Sequence, residues 1–305
     1  MTPESWLFRN SFISSRDALS RLRNPEARIG LCLLTRNAAF TLGRHLLLLR
    51  HGWPGGVAPW SEILVADLGS TDSTAEVARE HGAVFLEPAE RLAATLEPPS
   101  DGDGLARALA ATKSDILFVV PSDLIRLEVA SIATMIRALL DDPAVHLCLG
   151  VSEVDGGPLS ALGTRPLLAA LHPELALVVD PTTPLLALRT AGIRDLPLAL
   201  TAGYEAALVV DCRAAHGLAS LAQVRIPRLE WEVEDPRLEP SRAFRTIVAL
   251  LEALRRTGHF STTRELGHLF PRPRDWTENG PRLVSNLEVF PWTKEKSHLP
   301  AADGI

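Results

Sequence analysis

The sequence predicts an α/β fold with a Rossmann-like, mainly parallel sheet flanked by helices. Short, almost wholly apolar runs recur along the chain, and such runs are typical of strands buried on both faces. Most of these runs are followed by about ten residues whose apolar positions have helical spacing. Strands that alternate with helices form βαβ units, and their strands pair in parallel.

Four runs in the first half of the chain carry this prediction. The segments "NAAFTLGRHLLLLRHG" and "STAEVAREHG" are predicted as helices, each ending at a glycine suited to close a helix. The segment "DGDG" is predicted as a loop that leads into a third helix. The four strands are predicted at 28–35, 62–67, 83–87 and 115–120.

The second half continues the alternation. "LEVASIATMIRALLDDP" is predicted as a helix and "VHLCLGVSEV" as a strand, and the apolar run "ALVVDP" predicts a strand that begins at Ala176. A helix and a strand follow in "TAGYEAALVVDCRAAHGLASLAQVRIP", with another helix over 240–258. We expect an arm with a short helix at the start of the chain. Residues 270–305 are expected to form an extended tail that packs through its aromatic side chains.

Composition excludes several classes of partner. A net charge of −6 argues against nucleic acid, which usually requires a basic face. No apolar run is long enough to span a bilayer, and the first residues lack the apolar core of a signal peptide, so we expect a cytoplasmic protein without a membrane partner. Cys32, Cys148 and Cys212 lie in apolar runs and are predicted as buried thiols, not zinc ligands or a disulfide.

Polar segments follow the predicted strands where a doubly wound sheet binds its ligands. Thr35 ends the first strand and Asn37 follows it, and Asp67 ends the second strand and Ser70 follows it. A carboxylate at the tip of the second strand is placed to accept hydrogen bonds from a base or a ribose. Asp, Ser and Thr also favour turns and helix caps for purely local reasons, so both interpretations of this segment stay open.

The fourth strand ends in Pro121-Ser122-Asp123. Many sugar-nucleotide enzymes end a strand here with Asp-x-Asp, whose two carboxylates hold a divalent metal. Proline occupies the first of those positions in this chain. Asp123 alone is therefore expected to be a weak metal ligand at best, because one carboxylate does not make a Mg²⁺ or Mn²⁺ site.

Three segments together resemble the nucleotide-binding half of GT-A glycosyltransferases: "LLTRNAAFTL", "EILVADLGSTDSTAEVAREHGA" and "DILFVVPSDL". The segments "WLFRNSF", "GTRPLLAALHPEL" and "GLASLAQV" further resemble the glucosyl-3-phosphoglycerate synthase family. Members of that family are retaining enzymes that move glucose from a nucleotide diphosphate to phosphoglycerate with a divalent metal. The resemblance covers residues 5–258.

The resemblance implies a GT-A fold and a division of the chain by role. An arm at 1–27 would precede a nucleotide-sugar-binding part at 28–150. An acceptor-side part at 151–260 would follow, and the tail would occupy 261–305. The expected ligands are a nucleotide sugar and a small acceptor, and we expect a homodimer.

The resemblance also implies roles for single residues. Asp67 would hold the nucleoside, and Asp123 would contact a metal, Mg²⁺ or Mn²⁺, or the donor ribose and sugar. Glu205, in "AGYEAALVVD", matches a glutamate near the reaction centre and would orient the acceptor or the donor sugar. The expected catalytic residues are Glu205 and Asp123. The expected donor-binding residues are Thr35, Asn37, Asp67, Ser70, Ser122 and Asp123.

Several family positions that contact charged ligands are replaced. Asp101 stands at the position of a phosphate-binding lysine and is expected to repel a phosphate. One interpretation of the run with Glu230, Glu232, Glu234 and Asp235 is a metal site rebuilt with Asp123, but a solvated charged edge is the favoured interpretation. The remaining departures are Pro121 for the first metal-binding aspartate, Trp231 for a metal-binding histidine, Pro158 for an acceptor-binding arginine, and Thr183-Pro184 for a Gly-Gly pair.

These observations predict a hexosyltransferase that uses a nucleotide-diphosphate sugar of the UDP-glucose type. The acceptor is predicted to be a small molecule other than 3-phosphoglycerate, and the reaction to proceed with retention. The alternative is a catalytically impaired pseudo-glycosyltransferase that binds a nucleotide or a protein partner.

Overall fold

The structure is a computed structural model that describes residues 22, 27–88, 100–125, 127–152, 157–231 and 240–261, with the backbone of 276–277 and 280–281. It confirms the predicted α/β fold, because seven strands form one mostly parallel sheet with helices on both faces. The strands are β1 Ile29–Thr35, β2 Trp60–Asp67, β3 Val84–Leu86, β4 Ile116–Pro121, β5 Leu147–Ser152, β6 Leu186–Arg189 and β7 Leu221–Ile226.

The strand order in the sheet is β3-β2-β1-β4-β6-β5-β7. Only β6 runs antiparallel to its neighbours, β4 and β5. The four strands predicted in the first half are confirmed as β1 to β4. Two further two-residue strands, β8 Trp276–Thr277 and β9 Gly280–Pro281, pair with each other.

Helices connect the strands and cover the sheet. A helical turn, Gly157–Leu159, and a π-helical turn, Ser160–Thr164, lead into α5. Single 3₁₀ turns occupy Pro173–Leu175 and Leu218–Ser220. The α-helices are α1 Ala39–His51, α2 Thr74–Glu80, α3 Asp101–Ala111, α4 Val129–Asp141, α5 Arg165–Leu171, α6 Thr190–Ile193, α7 Tyr204–His216 and α8 Pro240–Arg256.

The core has two layers, one on each face of the sheet. Successive residues of β1 alternate between them: Leu31 and Leu33 pack beneath α1 and α4, whereas Cys32 and Leu34 pack beneath α3 and α7. Burial on both faces explains why β1 reads as a continuous apolar run. All three cysteines are free and buried, as expected. None of the described helices has the length and apolar character needed to cross a bilayer.

Two predictions from the sequence are wrong. The run that begins at Ala176 is a turn and loop, and the strand comes later, at β6. Pro181 and Pro184 interrupt the run, and proline cannot donate to a central ladder. The "DGDG" segment is already helical from Asp101. Glycine at 102 is needed there because an added Cβ would come 2.1 Å from the carbonyl oxygen of Ala199.

The predicted arm and short helix at 1–21 and 23–26 lie outside the described residues. Most of the predicted tail also lies outside them.

Candidate active site at the strand ends

The sheet order reverses at β1, which has β2 on one side and β4 on the other, both parallel to it. At such a point the chain connections on the two sides run in opposite directions. They leave a crevice at the carboxyl ends of the strands, where ligands bind. Thr35 is paired in register with Asp67, and Leu34 is paired with Pro121. The predicted donor-binding residues on these three strands therefore lie at one edge of the sheet.

Asp67 organises the turn that follows β2. Its carboxylate accepts hydrogen bonds from the backbone N–H of Gly69 at 3.1 Å and of Ser70 at 3.0 Å, and from the Ser70 hydroxyl at 2.5 Å. The side chain of Asp67 is buried at 4% exposure. Most of its acceptor capacity is thus used locally. Asp67 therefore has the turn role, one of the two interpretations that the sequence left open. A direct contact of Asp67 with a nucleoside stays a prediction.

Asn37 ties the loop after β1 to the same turn. Its backbone N–H donates to the Ser70 hydroxyl oxygen at 2.8 Å, and its side-chain oxygen accepts the backbone N–H of Thr71 at 2.8 Å. The backbone of Asn37 is left-handed, with φ of 49°, a conformation that asparagine tolerates better than most residues. Thr35 is fully buried, and its hydroxyl donates to the Leu33 carbonyl at 3.4 Å.

Arg107 on α3 is a residue that the sequence analysis missed. Its guanidinium donates to the Asp67 carbonyl oxygen at 2.6 Å, to the Leu86 carbonyl at 2.7 Å and to the Glu87 carbonyl at 3.1 Å. Its Nε pairs with Asp103 at 2.9 Å. One side chain therefore fixes the carboxyl ends of β2 and β3. The i, i+4 spacing of Asp103 and Arg107 was a sequence signal for the ion pair, although not for the carbonyl contacts.

Ser122 and Asp123 occupy the turn after β4. The Ser122 side chain is buried, and its backbone N–H donates to the Leu34 carbonyl at 3.0 Å. Asp123 is half-buried. The backbone of Trp231 lies beside this turn, since Leu124 and Trp231 form an isolated antiparallel bridge. The strand end, Asp123 and residue 231 are therefore neighbours, as the resemblance implies.

The donor atoms at this turn do not fit a divalent metal. Proline ends β4 where a second carboxylate would be needed, and Trp231 provides no ligand atom suited to Mg²⁺ or Mn²⁺. No group of three histidine, cysteine, aspartate or glutamate side chains that could hold a metal occurs among the described residues. Glu230 is exposed, and Glu232, Glu234 and Asp235 lie outside the described residues.

Glu205 lies in the first turn of α7, and its side chain is only 2% exposed. Arg242 of α8 places its Nη2 3.4 Å from a Glu205 carboxylate oxygen and its Nη1 2.6 Å from Asp101. Burial raises the pKa of Glu205 to about 7; Arg242 acts in the opposite direction, and Asp101 adds to the rise. A proton on this carboxylate is therefore gained or lost near neutral pH.

The first turn of α3 places Asp101 close to the strand ends. Gly104 packs there against Leu34 and Leu68, and a Cβ at position 104 would come 2.9 Å from each of those side chains. Arg242 pairs with Asp101, and the repulsion of a phosphate by Asp101 stays a prediction.

Two other replaced positions have local roles. Pro158 lies in the helical turn before the π-helical turn. Thr183 is fully buried, and its hydroxyl donates a hydrogen bond to the carbonyl oxygen of Gly150 in β5. It therefore satisfies a backbone acceptor of that strand. Neither local role requires a contact with a ligand.

Comparison with known proteins identifies relatives of one kind. The chain is 33% identical over 179 residues to a glucosyl-3-phosphoglycerate synthase of Mycobacterium tuberculosis, covering 54% of this chain and 55% of that protein. It is 37% identical over 180 residues to that of Mycolicibacterium smegmatis, covering 54% and 58%. A synthase of Petrotoga mobilis is 25% identical over 271 residues, covering 84% and 82%. In sequence, the chain is thus similar to glucosyl-3-phosphoglycerate synthases.

Solved structures of such synthases share its fold. The Mycobacterium tuberculosis synthase bound to phosphoglyceric acid superposes with a TM-score of 0.67 at 26% identity, covering 80% of this chain and 85% of that one. The mannosyl-3-phosphoglycerate synthase of Rubrobacter xylanophilus superposes with a TM-score of 0.74 at 23% identity, covering 86% of each chain, and supports the fold alone. The GT-A fold is thereby confirmed.

The chain spans about half the length of the mycobacterial relatives that it matches in sequence. No protein-family model matches the chain.

Proposed function

We propose that this chain transfers a hexosyl group from a nucleotide-diphosphate sugar of the UDP-glucose type to a small acceptor, with retention. The observation that carries the proposal is the turn built by Asp67, Ser70 and Asn37, at the point where the strand order reverses. Ligands of doubly wound sheets bind at such points. The related synthase of Mycobacterium tuberculosis has been crystallised with UDP, Mn²⁺ and glucosyl-3-phosphoglycerate, which supports a UDP-sugar as donor.

In this proposal the protein acts mainly by positioning. In a retaining transfer the leaving diphosphate itself can take the proton of the acceptor hydroxyl, so the enzyme's task is orientation and stabilisation of charge. Glu205 would orient the reacting hydroxyl or the donor sugar, and Asp123 would contact the donor. The described side chains around Asp123 do not fit a metal.

We further propose that the acceptor is not 3-phosphoglycerate. Structures of the Mycobacterium tuberculosis synthase hold phosphoglyceric acid or glycerol 3-phosphate. In this chain Asp101 and Glu205 share the charge of Arg242, so that cluster offers no surplus positive charge to an anionic acceptor. Pro158 adds none. A neutral hydroxyl compound suits this charge balance better.

The test is release of UDP from UDP-glucose in the presence of a panel of acceptors, followed by mass spectrometry of the products. We expect release that depends on a neutral hydroxyl acceptor and exceeds hydrolysis in water. The Glu205→Gln variant should bind UDP-glucose as the wild type does but transfer at least about tenfold more slowly, because the proposed role of Glu205 is in the transition state. Equal turnover of the variant and the wild type would remove Glu205 from the proposed mechanism.

A second candidate is a nucleotide-binding pseudoenzyme. Pro121 at the end of β4 favours it, because a diphosphate leaving group needs compensating charge and this strand end provides less of it. UDP-glucose binding without any transfer across the acceptor panel would support this candidate over the first. The homodimer and the cytoplasmic location stay predictions.

A further inference from the structure

The ion-pair cluster of Asp101, Arg242 and Glu205 joins three helices at one point. Asp101 begins α3, Glu205 lies in the first turn of α7, and Arg242 lies in the first turn of α8. The guanidinium reaches Asp101 through Nη1 at 2.6 Å and Glu205 through Nη2 at 3.4 Å. Nothing in the sequence pattern links these residues, and the function proposed above uses Arg242 only in its charge balance with Asp101 and Glu205.

Close packing fixes where Arg242 can point. Gly203 precedes α7 with a left-handed backbone, φ 86°, and a Cβ there would come 2.3 Å from the Cα of Thr246. The start of α7 and the second turn of α8 are therefore in direct backbone contact. The Thr246 hydroxyl donates to the Arg242 carbonyl at 2.8 Å, which secures the same turn. The backbone of Arg242 is thus held beside the helix that carries Glu205.

The charges around Glu205 do not balance without Arg242. Three further ionisable groups influence it or lie beside it: Asp101 at the start of α3, Asp180 in the loop before β6, and the neighbouring Tyr204 phenol. Asp101 and Asp180 both disfavour a negative charge on Glu205, and burial disfavours it as well. Arg242 is the cation that acts against these effects.

We propose that Arg242 is a positioning residue for Glu205: Asp101 anchors the guanidinium, and the guanidinium holds the Glu205 carboxyl in place and favours its ionised form. This inference rests on the proposed function for its meaning in catalysis, since Glu205 is there the residue that orients a reacting group. It makes the start of α8 part of the candidate active site. It also explains why an aspartate is tolerated at position 101, where its charge anchors a cation.

The chain contains a matched control pair. Arg256 of α8 contacts Asp211 of α7 at 2.6 Å, and Asp211 is buried at 4% exposure. This pair joins the same two helices as Arg242 and Glu205, but it lies towards their other ends. Loss of Arg256 should therefore weaken the α7–α8 contact to a similar degree without altering the charge around Glu205.

The test measures the pKa of Glu205 directly, by NMR titration of protein labelled with ¹³C at the glutamate carboxyl groups, with Glu205→Gln identifying the signal. We expect Arg242→Gln to raise the pKa of Glu205 by about 1 to 3, the usual effect of losing a close opposite charge. Arg242→Lys, which keeps the charge but not the fork, should raise it less and provides a readout if the glutamine variant does not fold. Arg256→Gln should leave it unchanged.

The same variants are assayed for transfer from UDP-glucose as a function of pH. The acid limb of the pH profile of kcat should move to higher pH in Arg242→Gln and remain in place in Arg256→Gln. The KM for the donor should change little in both variants. An unchanged Glu205 titration in both Arg242 variants, or an equal change in Arg256→Gln, would overturn the proposal. The titration gives its answer whether or not the wild type transfers sugar, so a wild type that titrates as expected but transfers nothing counts against the proposed function alone.

Discussion

Arg107 donates a hydrogen bond of 2.6 Å from its Nη2 to the carbonyl oxygen of Asp67, the last residue of β2. The same guanidinium holds the carbonyl groups of Leu86 and Glu87 after β3. Two strand ends beside the proposed donor site therefore depend on one side chain from the helix that follows them.

Arg107→Gln should destabilise the fold and weaken the donor site together. Loss of charged hydrogen bonds to partly buried carbonyl groups typically costs about 1–3 kcal/mol, and the Asp67 turn should lose its fixed position. Urea unfolding measures the first effect and calorimetric titration with UDP-glucose the second. The control is Arg28→Gln, whose exposed pair with Asp115 lies at the opposite end of β4. Wild-type affinity in the Arg107 variant would contradict the proposed importance of this contact.

Metal affinity should be weak in the wild type and should increase when a second carboxylate is introduced at the end of β4. We expect the protein without donor to bind Mn²⁺ with a Kd above roughly 10⁻⁵ M, weaker than sensor-type cation sites. Pro121→Asp should tighten Mn²⁺ binding by at least about tenfold, because it restores a pair of carboxylates with Asp123. Pro121→Ala is the control that removes proline without adding charge. Tight Mn²⁺ binding by the wild type would show that the site is rebuilt by other residues.

The protein should show no saturable transfer of glucose to 3-phosphoglycerate at an ordinary enzymatic rate. The physical reason is the charge balance at Glu205 and Asp101, which leaves Arg242 already paired. The measurement compares initial rates with 3-phosphoglycerate and with glycerol as acceptors at equal concentration. A KM for 3-phosphoglycerate in the usual micromolar to millimolar range, with ordinary turnover, would refute the proposed acceptor class.

Stability should fall as the pH drops below about 6.5 because the buried His172 packs against the half-buried His259. The rings of His172 and His259 stack with centroids 3.8 Å apart. Burial lowers the pKa of His172 from 6.5, and the charge of His259 lowers it further. The unfolded chain then binds a proton more readily than the folded chain, so stability is full above pH 6.5 and is lost below it.

His259→Phe keeps a stacked ring but removes the neighbouring charge, so it should lose less stability than the wild type between pH 7 and pH 5. Chemical unfolding at several pH values measures the free energy of unfolding of both proteins. In the difference between them, the contributions of groups common to both cancel. His51→Asn, at an exposed position, is the control. Identical pH profiles for the wild type and His259→Phe would rule out a role for the pair.

The sequence predicts the first half of the fold well because its central strands, β1 and β4, are buried on both faces. β1 and β4 are continuous apolar runs, and the polar residues that follow them lie at the strand ends as predicted. The run at Ala176 misled the prediction, because a buried loop can be as apolar as a strand. The antiparallel direction of β6 had no local signal, since direction depends on how the chain returns to the sheet.

The residues of the candidate site likewise fall into those that the sequence predicts and those that it does not. Asn37, Asp67 and Ser70 were found because each ends or follows a predicted strand, and the turn chemistry of these residue types is local. Arg242 was missed because it pairs with Asp101 and Glu205 only after three helices distant in sequence pack together. Arg107 was missed because its partners are backbone carbonyl groups, which carry no residue-type signature.

The central claim is that a nucleotide sugar binds at the carboxyl ends of β1, β2 and β4, and calorimetric titration tests it most directly. UDP-glucose, GDP-glucose and ADP-glucose are titrated into the wild type, Asp67→Ala and Asp115→Ala, each with and without Mn²⁺. The account predicts saturable binding of at least one donor to the wild type, weakened at least about tenfold (roughly 1.4 kcal/mol) in Asp67→Ala and unchanged in Asp115→Ala. No binding of any donor to the wild type, or equal binding to the wild type and Asp67→Ala, would contradict it.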